Sequence, residues 1–559
     1  MRILLTYKAH AAGAKDPYTS LLPVGLGYVN AVLRAQGFKS RIANLSNLAW
    51  KEIEALLSSE RPDILGVSQF THNRFESLKL AATAQKVYPA CFVVFGGPHA
   101  TLRAREILAG SRTVDAVVLG EGEETFLELA SYLAEGERHL ENIRGIALRS
   151  GNDVLLNPPR EPLTNLDNLP FPAAYYDNAF AVNPHRQLEF IVTSRGCPAA
   201  CRFCSSPRFW GKTLRFRSPL SIVDEIRFIR DKYGLLYFSL RDDTFTADRE
   251  RVMAFCQLLL REKIYILWNC QSRVNAVDGE MLMMMKRAGC ECVQFGVESG
   301  SARMLKELGK NIAPEQVKTA ALATRRAGIN LSIYLITGVP GETDEDLKAT
   351  LRLIEEIKPG DGQISPLAYY PGTTLFEKGV LSGSVKGDIF ETARKPALFV
   401  RNDPFVASST TALLAKLERV AKKNRFTLVE FRTQKKVLGY CHATNVLTGD
   451  FYENAGHWRL AEAEYREIIE REPANPWGWL MLGELYAGMG NIDKAKSAFK
   501  DLLQLVPKHA PAYAQLGELF RLTADHYEAE RLYMQALCLD PENTMAKKGV
   551  ATIRRRKYT

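Results

Sequence analysis

The stretch Ser194-Arg-Gly-Cys-Pro-Ala-Ala-Cys-Arg-Phe-Cys-Ser-Ser-Pro207 sets Cys197, Cys201 and Cys204 in one short loop with the spacing C-x3-C-x2-C. Thiolates hold iron–sulfur clusters, and a cube held by three of them keeps one iron open to an outside ligand. That open iron turns a structural group into a reactive one. A zinc site would want a fourth Cys or His at short spacing, and the next cysteines, Cys256 and Cys270, stand far downstream. The spacing points to a three-cysteine cluster, ahead of a partial zinc site or three ordinary thiols.

Around the loop runs a strand–helix series. It begins at Phe190 and continues through strands expected at Leu236–Leu240, Tyr265–Asn269, Cys292–Val297, Asn330–Thr337 and Gln363–Tyr370. Helices such as Ile222–Lys232, Arg249–Arg261 and Asp344–Ile357 lie between them. Six strands with five crossover helices predict a partial (β/α)6 parallel barrel over residues 186–375, with functional groups at the carboxyl ends of the strands. The cysteines, Asp242-Asp-Thr-Phe245, Arg273, Glu298-Ser299 and Gly338-Val-Pro-Gly-Glu-Thr343 occupy such ends.

Upstream, residues 1–145 also alternate. Ile3–Thr6, Asp63–Ser68, Cys91–Gly97 and Val114–Gly120 read as strands, with helices at Gly25–Gln36 and from Glu123. This predicts a parallel, doubly wound sheet of Rossmann type, whose ligand sits beyond the strand carboxyl ends. Residues 146–185 read as an extended linker, because five prolines fall in the sixteen residues from Asn157 to Pro172 and each restrains its own backbone and its predecessor.

Downstream, residues 376–441 carry one clear helical signal, Ser409–Asn424, expected to pack on the barrel. From residue 442 three 34-residue blocks align without gaps: Gly449, Gly483 and Gly517 share a register, as do Tyr465, Phe499 and Tyr533, and Pro473, Pro507 and Pro541. This is the tetratricopeptide pattern, so residues 442–559 are expected to form an all-α solenoid with a basic tail.

Composition sets the frame. The chain has 559 residues, 46% of them hydrophobic, and a net charge of +10, enough length for three or four domains. The one dense basic block, Arg554–Lys557, reads as a solvated helix end rather than a nucleic-acid site. No window approaches about 18 consecutive apolar residues, so no membrane span is expected. Ten cysteines without an even framework fit a reducing cytoplasm.

With Phe203 before its last cysteine, the loop resembles that of the radical SAM superfamily. The resemblance implies a 4Fe-4S cluster on Cys197, Cys201 and Cys204, with S-adenosyl-L-methionine (SAM) on the fourth iron. One electron then cleaves SAM to methionine and a 5′-deoxyadenosyl radical. It further implies SAM contacts from Phe203, from Asp242 and Asp243 to the methionine ammonium, and from Arg273 to its carboxylate. Glu298 and Ser299 would meet the methionyl or ribose groups, and backbone from Gly338 to Glu342 the adenine.

The N-terminal segments Leu22–Tyr28, Asp63–Ser68, Gly96–Thr101 and Leu119–Glu123 resemble the cobalamin-binding module fused to many such enzymes, although a plain flavodoxin-like domain shares the strand pattern. The implied cobalamin contacts are Ser68, Gln69, Gly96, Gly97, His99, Gly120, Glu121 and Gly122. Glycines there let backbone approach a planar ring. The Asp-x-His-x-x-Gly signature that supplies a lower-face histidine is absent: His10 and Gly13 are the nearest approach, but Lys8 stands in the aspartate's place. The lower face is expected to meet the loop from Gln69 to His72.

The family implies a C-methyltransferase acting on an unactivated carbon through the radical and methylcobalamin. A rearrangement or oxidative cyclisation without methyl transfer is the first alternative, and a scaffold function of the repeats, recruiting a protein or carrier-bound substrate, is the second. A flavodoxin- or ferredoxin-type protein is the implied electron donor.

Overall fold

A computed structural model describes residues 1–9, 21–137, 139–424 and 426–557. His10 and Gly13 lie outside the described residues.

In β1 (Arg2–Tyr7), Ile3 and Leu5 are buried on one side of a sheet and Leu4 on the other. Successive side chains of a strand point to opposite faces, so a strand apolar on both needs cover on both. Helices Val24–Ala35 and Glu123–Glu135 bring Leu26, Leu33, Phe126 and Leu129 to the Ile3 face. Helices Trp50–Glu60 and Arg74–Val87 bring Ile53, Leu57 and Leu80 to the Leu4 face. The remaining strands are β2 (Lys39–Asn44), β3 (Ile64–Ser68), β4 (Phe92–Gly96), β5 (Ala116–Val118), β6 (Ile146–Ser150) and β7 (Asp153–Leu156), in the order β2-β1-β3-β4-β5-β6-β7. The first five are parallel. The chain reverses direction across the sheet between β1 and β3, which opens a crevice at their carboxyl ends.

The sheet runs past the expected boundary. Residues 146–156, read as linker, form the antiparallel hairpin β6–β7 on its edge. Its two-residue turn uses Gly151 at φ +62°, the positive φ that such turns demand.

The barrel contains β8 (Phe190–Ile191), a hairpin of β9 (Ser194–Arg195) and β10 (Arg215–Phe216), then β11 (Tyr237–Leu240), β12 (Leu267–Ser272), β13 (Cys290–Glu298), β14 (Asn330–Thr337) and β15 (Asp361–Pro366). Six of these form one open parallel sheet in the order β15-β14-β13-β12-β11-β8. Helix Pro404–Lys423 closes against its edge, with Leu413, Leu417 and Val420 in the barrel core. Earlier in the same extension, the chain near Phe390 wraps onto the N-terminal domain. There the buried Arg74 donates to Phe390 O at 2.7 Å and Lys395 O at 2.8 Å.

Seven helices from His442 to Lys557 make the solenoid. The phased glycines are close approaches: a Cβ on Gly483 would stand 2.7 Å from the Phe499 ring, and one on Gly517 2.9 Å from Tyr533. The solenoid caps the end of the barrel where strands begin. Leu236, just before β11, and Leu267, first in β12, belong to the apolar cluster of Tyr465, Leu482 and Phe499. His442 Nε2 lies 3.3 Å from Ile266 O, and the Cys441 thiol donates to Lys286 O at 3.3 Å. The cysteine loop lies at the opposite end. Among the described residues no helix is long and apolar enough to cross a membrane.

Candidate functional site

Gly196 aims the cysteine loop. At φ +95° it turns the chain out of β9, and a Cβ there would overlap Thr213 O across the hairpin. The loop is then pinned from two sides: Arg202 N donates to Leu308 O and Leu375 N to Arg202 O, both at 2.9 Å. Cys197 is buried, Cys201 and Cys204 are half-buried, and none is in a disulfide. Burial pushes the Cys204 thiol up to about 12 and raises Cys197 as well. Arg273 offsets the charge that ligation would create, with Nη1 3.6 Å from Cys201 Sγ. Three reduced thiols of one loop beside a cation supply the donor set of a cluster ligated at three corners.

The expected SAM residues divide. Asp243 accepts from the Ser206 hydroxyl, two residues past Cys204, and burial raises its pKa. Asp242, by contrast, is 1% exposed. Its carboxylate takes Thr193 N and Oγ1 at 2.5 Å, Ser194 N at 3.0 Å and Arg251 at 3.4 Å. It is corrected to a strut between the end of β11 and the start of the cysteine loop. Arg273 also donates to Lys310 O at 2.8 Å, and Lys310 Nζ pairs with Glu298 Oε1 at 2.6 Å. Glu298 holds φ +67° at a bulge, and Gly296 leaves the pair its space. Ser299, 1% exposed, turns away to Thr350 Oγ1 at 3.2 Å and accepts Ser301 N at 3.1 Å. It too is corrected, to a tie between β13 and helix Asp344–Ile357. Gly338 donates its N–H to Glu342 Oε2 at 2.6 Å, which closes the Gly-Val-Pro-Gly-Glu loop on itself. Phe203 packs with Val339, Met304, Leu308 and Leu367 beside the cysteines.

At the β1/β3 crevice of the N-terminal sheet lies an open cavity with largely apolar walls. Ser68, Gly96, Gly97, Gly120, Glu121 and Gly122 line it. Six glycines in that wall, Gly25 and Gly66 included, leave backbone without side chains, a cradle lining that fits the close approach of a corrin ring. Gln69 is corrected: it is fully buried, its amide donating to Arg74 O at 3.2 Å. His99 is corrected too. It is buried against Thr71 Oγ1 at 3.1 Å with its edge on Phe390, and burial pushes it down to about 3. His72 bonds Tyr7 OH at 2.8 Å and stacks on Phe70, which is the ring that enters the cradle. Lys8 donates to Leu45 O and Leu48 O at 3.1 Å, a structural tie.

Sequence reading reached Phe70 only as part of the Gln69–His72 loop, and missed Phe209 and Trp210 of the cradle, Lys310 of the rim, and Arg195. Buried Arg195, two residues before Cys197, binds Glu121 at 2.7 Å and Glu123 at 2.5 Å, and lies over the rings of Tyr28 and Trp210. Burial alone would raise the Glu121 carboxyl, but Arg215 and Arg195 hold it below its usual value. This latch ties the cradle to the cysteine loop. A second cavity, reaching into the barrel lumen, shares Pro23, Val24 and Phe70 with the first.

Gly97 gives a local test. It sits at φ +94°, and a Cβ would stand 2.9 Å from Gln69 O. Gly97→Val is expected to cut cobalamin per chain at least about tenfold while iron per chain holds, with a lowered melting temperature from the strained backbone, a cost of about 1–3 kcal/mol. Wild-type cobalamin content in that variant would overturn the role of the glycine wall.

Comparison with known proteins adds to this geometry. The Radical SAM superfamily model matches residues 191–354, the B12 binding domain model residues 14–130, and tetratricopeptide repeat models residues 454–519 and 510–543. An uncharacterized methyltransferase of Pyrococcus horikoshii is 32% identical over 386 residues, covering 68% of this chain and 83% of that protein. The anaerobic magnesium-protoporphyrin IX monomethyl ester cyclase of Rubrivivax gelatinosus is 26% identical over 388 residues, 68% of this chain and 70% of that one. Among solved structures, the radical S-adenosylmethionine methyltransferase TsrM of Kitasatospora setae, with cobalamin and a [4Fe-4S] cluster bound, superposes with a TM-score of 0.61. The match covers 84% of this chain and 99% of that one at 17% identity, a likeness of fold.

Proposed function

The chain belongs to the radical SAM superfamily, in the group that carries a B12-binding domain, and from that premise we propose that it is a cobalamin-dependent methyltransferase acting at an unactivated carbon. One observation carries the reading: the cradle and the lumen cavity share Pro23, Val24 and Phe70, and Trp210, six residues past Cys204, closes the cradle. A carbon held in the lumen thus lies between the two cofactor sites.

When bound, these groups supply single electrons from the cluster, a methyl group and a hydrogen-abstracting radical from SAM, and a methyl carrier in cobalamin. The protein's part is to hold and orient them. Cys197, Cys201 and Cys204 would hold three irons as thiolates, and burial, which raises Cys197 and Cys204, means that ligation would displace their protons. Asp243 receives the methionine ammonium, a cation that reverses the effect of burial on its pKa. Arg273 takes the methionine carboxylate while Lys310 O holds the guanidinium still. Glu298 acts through Lys310 on the same rim, and Phe203 with the backbone from Gly338 offers the adenine an apolar seat. Ser68, Gly96, Gly97, Gly120, Glu121 and Gly122 would carry the corrin, with Phe70 at the cradle wall.

A flavodoxin- or ferredoxin-type donor delivers the electrons, and a reducing cytoplasm suits the cluster. The repeats belong to a class that binds protein partners. The cyclase among the relatives supports a second reading, oxidative cyclisation with no methyl transferred.

Anaerobic reconstitution should yield about four irons and one cobalamin per chain. With methyl-labelled SAM, label is expected in the product. Label found only in methionine, with product formed, would reject methyl transfer in favour of the cyclase-like reading.

A further inference from the structure

The loop that carries the three cysteines is basic throughout. Between Gly196 and Leu214 it holds no acid, and its charged side chains are Arg202, Arg208 and Lys212. Lys212 stands in an open turn. Gly211, Lys212 and Thr213 are all exposed, and a Cβ on Gly211, at φ +82°, would meet nothing within 4 Å. The turn nonetheless touches the cluster loop, since Cys197 N donates to Gly211 O at 3.4 Å.

The acids beside the loop are already engaged. Glu307 is held by Arg202 at 3.2 Å and Glu377 by Arg208 at 3.4 Å. The Asp243 carboxylate accepts from the Ser206 hydroxyl, and Asp346 matches Arg303. Lys306 and Lys378 share the helices Ala302–Glu307 and Thr374–Leu381 with those first two acids. Like Lys212, they are exposed and pair with no acid among the described residues. The rim of the loop therefore carries a surplus of positive charge.

Inside this rim the loop is apolar and open. Pro198 and Ala200 are exposed and Ala199 is half-buried. These three residues lie between Cys197 and Cys201, so an object resting on them is one residue away from a ligand thiol. The other approaches are taken: Trp210 and the cradle close one side, and the solenoid caps the far end of the barrel.

We propose that Pro198–Ala200 and its basic rim are the docking surface of an acidic one-electron carrier protein. The inference rests on the proposed function, which needs a donor, and adds where that donor sits and what charge it bears. One electron leaves the carrier's reduced centre and enters the cluster; the carrier is oxidised by one electron, the cluster is reduced by one, and no bond forms or breaks. A contact of three small apolar residues suits the small, short-lived interfaces of redox partners. The surplus of lysines draws an acidic partner in and orients it before contact.

The test is reduction of the reconstituted enzyme, without SAM, by hydroquinone flavodoxin as an acidic carrier, followed by stopped-flow absorbance and EPR. The rate is expected to fall at least about tenfold between roughly 20 and 500 mM salt. Lys212→Glu with Lys306→Glu should slow it at least about tenfold at low salt and weaken the titrated binding of oxidised flavodoxin in parallel. Lys39→Glu with Lys436→Glu, exposed on strand β2 and on helix Leu428–Leu438, changes the net charge equally and should leave the rate unchanged. Photoreduced 5-deazaflavin, which is a small neutral donor, should reduce all three proteins alike, and iron per chain should not differ. A flavodoxin rate independent of salt, a rate in the first pair within about twofold of wild type, or an equal loss in the distant pair would overturn the proposal. Failure of methyl-label transfer with the salt dependence intact rejects methyl transfer alone; a reducible cluster without that dependence rejects the docking surface alone.

Discussion

A chain ended at residue 441 is expected to be recovered as aggregate, not as a shortened enzyme. The repeats cover the end of the barrel where Leu236 and Leu267 are 4% and 6% exposed, within one apolar cluster with Tyr465, Leu482 and Phe499. Uncovering a buried side chain of this size costs about 1.5–3 kcal/mol. Several together consume much of the roughly 5–15 kcal/mol by which a domain is stable. The cut also bares Lys286, buried against Ala443 O, and strips the bond from His442 to the Ile266 carbonyl. Size-exclusion chromatography and thermal melting of residues 1–441 check this: the melting temperature should fall by on the order of 10 °C or more. A monomer that melts within about 2 °C of the full chain would show that the solenoid is an appendage. Partner binding by the repeats is therefore better probed by substitutions on their exposed helices than by deletion.

Arg195→Met is expected to have the next largest effect. It leaves Glu123, 3% exposed, and Glu121 beside it without their shared cation. Breaking a buried pair from one side costs about 3–5 kcal/mol. The damage falls where the cradle meets the cysteine loop, so cobalamin per chain should drop, and SAM should be consumed to 5′-deoxyadenosine with less methylated product. Arg195→Met combined with Glu123→Gln removes the one stranded charge, since Glu121 keeps Arg215 at 2.7 Å. That double variant should regain most of the lost melting temperature yet keep the poor ratio of methylated product to 5′-deoxyadenosine. Unchanged melting and cobalamin content in Arg195→Met would reject the latch, and a double variant with the wild-type product ratio would reduce it to a stability element.

Much of the fold was legible because its signals are local. Helices Arg249–Arg261 and Asp344–Ile357 and strand Asn330–Thr337 fall where the sequence predicts them; Asp248 caps the first helix on Arg251 N, and Asp346 closes the start of the second. The β9–β10 hairpin was not legible, since strands of two residues carry no periodicity. Three of the four misplaced site residues share one cause; His99 sits in the helix Pro98–Leu102 and is a separate case. Asp242, Ser299 and Gln69 each stand next to a residue that does face a site: Asp243, Glu298, and Ser68 or Phe70. Motif position locates a strand end, but only the period of two decides which neighbour points inward. Counting from buried Leu240 would have put Arg241 and Asp243 inside and Asp242 out. Arg195, Lys310 and Trp210 had no such signal, because only tertiary contact gives them meaning.

The repeats and the cysteine loop occupy opposite ends of the barrel, and this sets a length scale. β13 and β14, of nine and eight residues, span about 26–30 Å at some 3.3 Å per residue. Any molecule tethered to a protein seated on the solenoid would have to reach around that height before its carbon met the chemistry. A short arm falls short. A carrier seated on the solenoid would need an arm longer than that height to bring a substrate to the cysteine end.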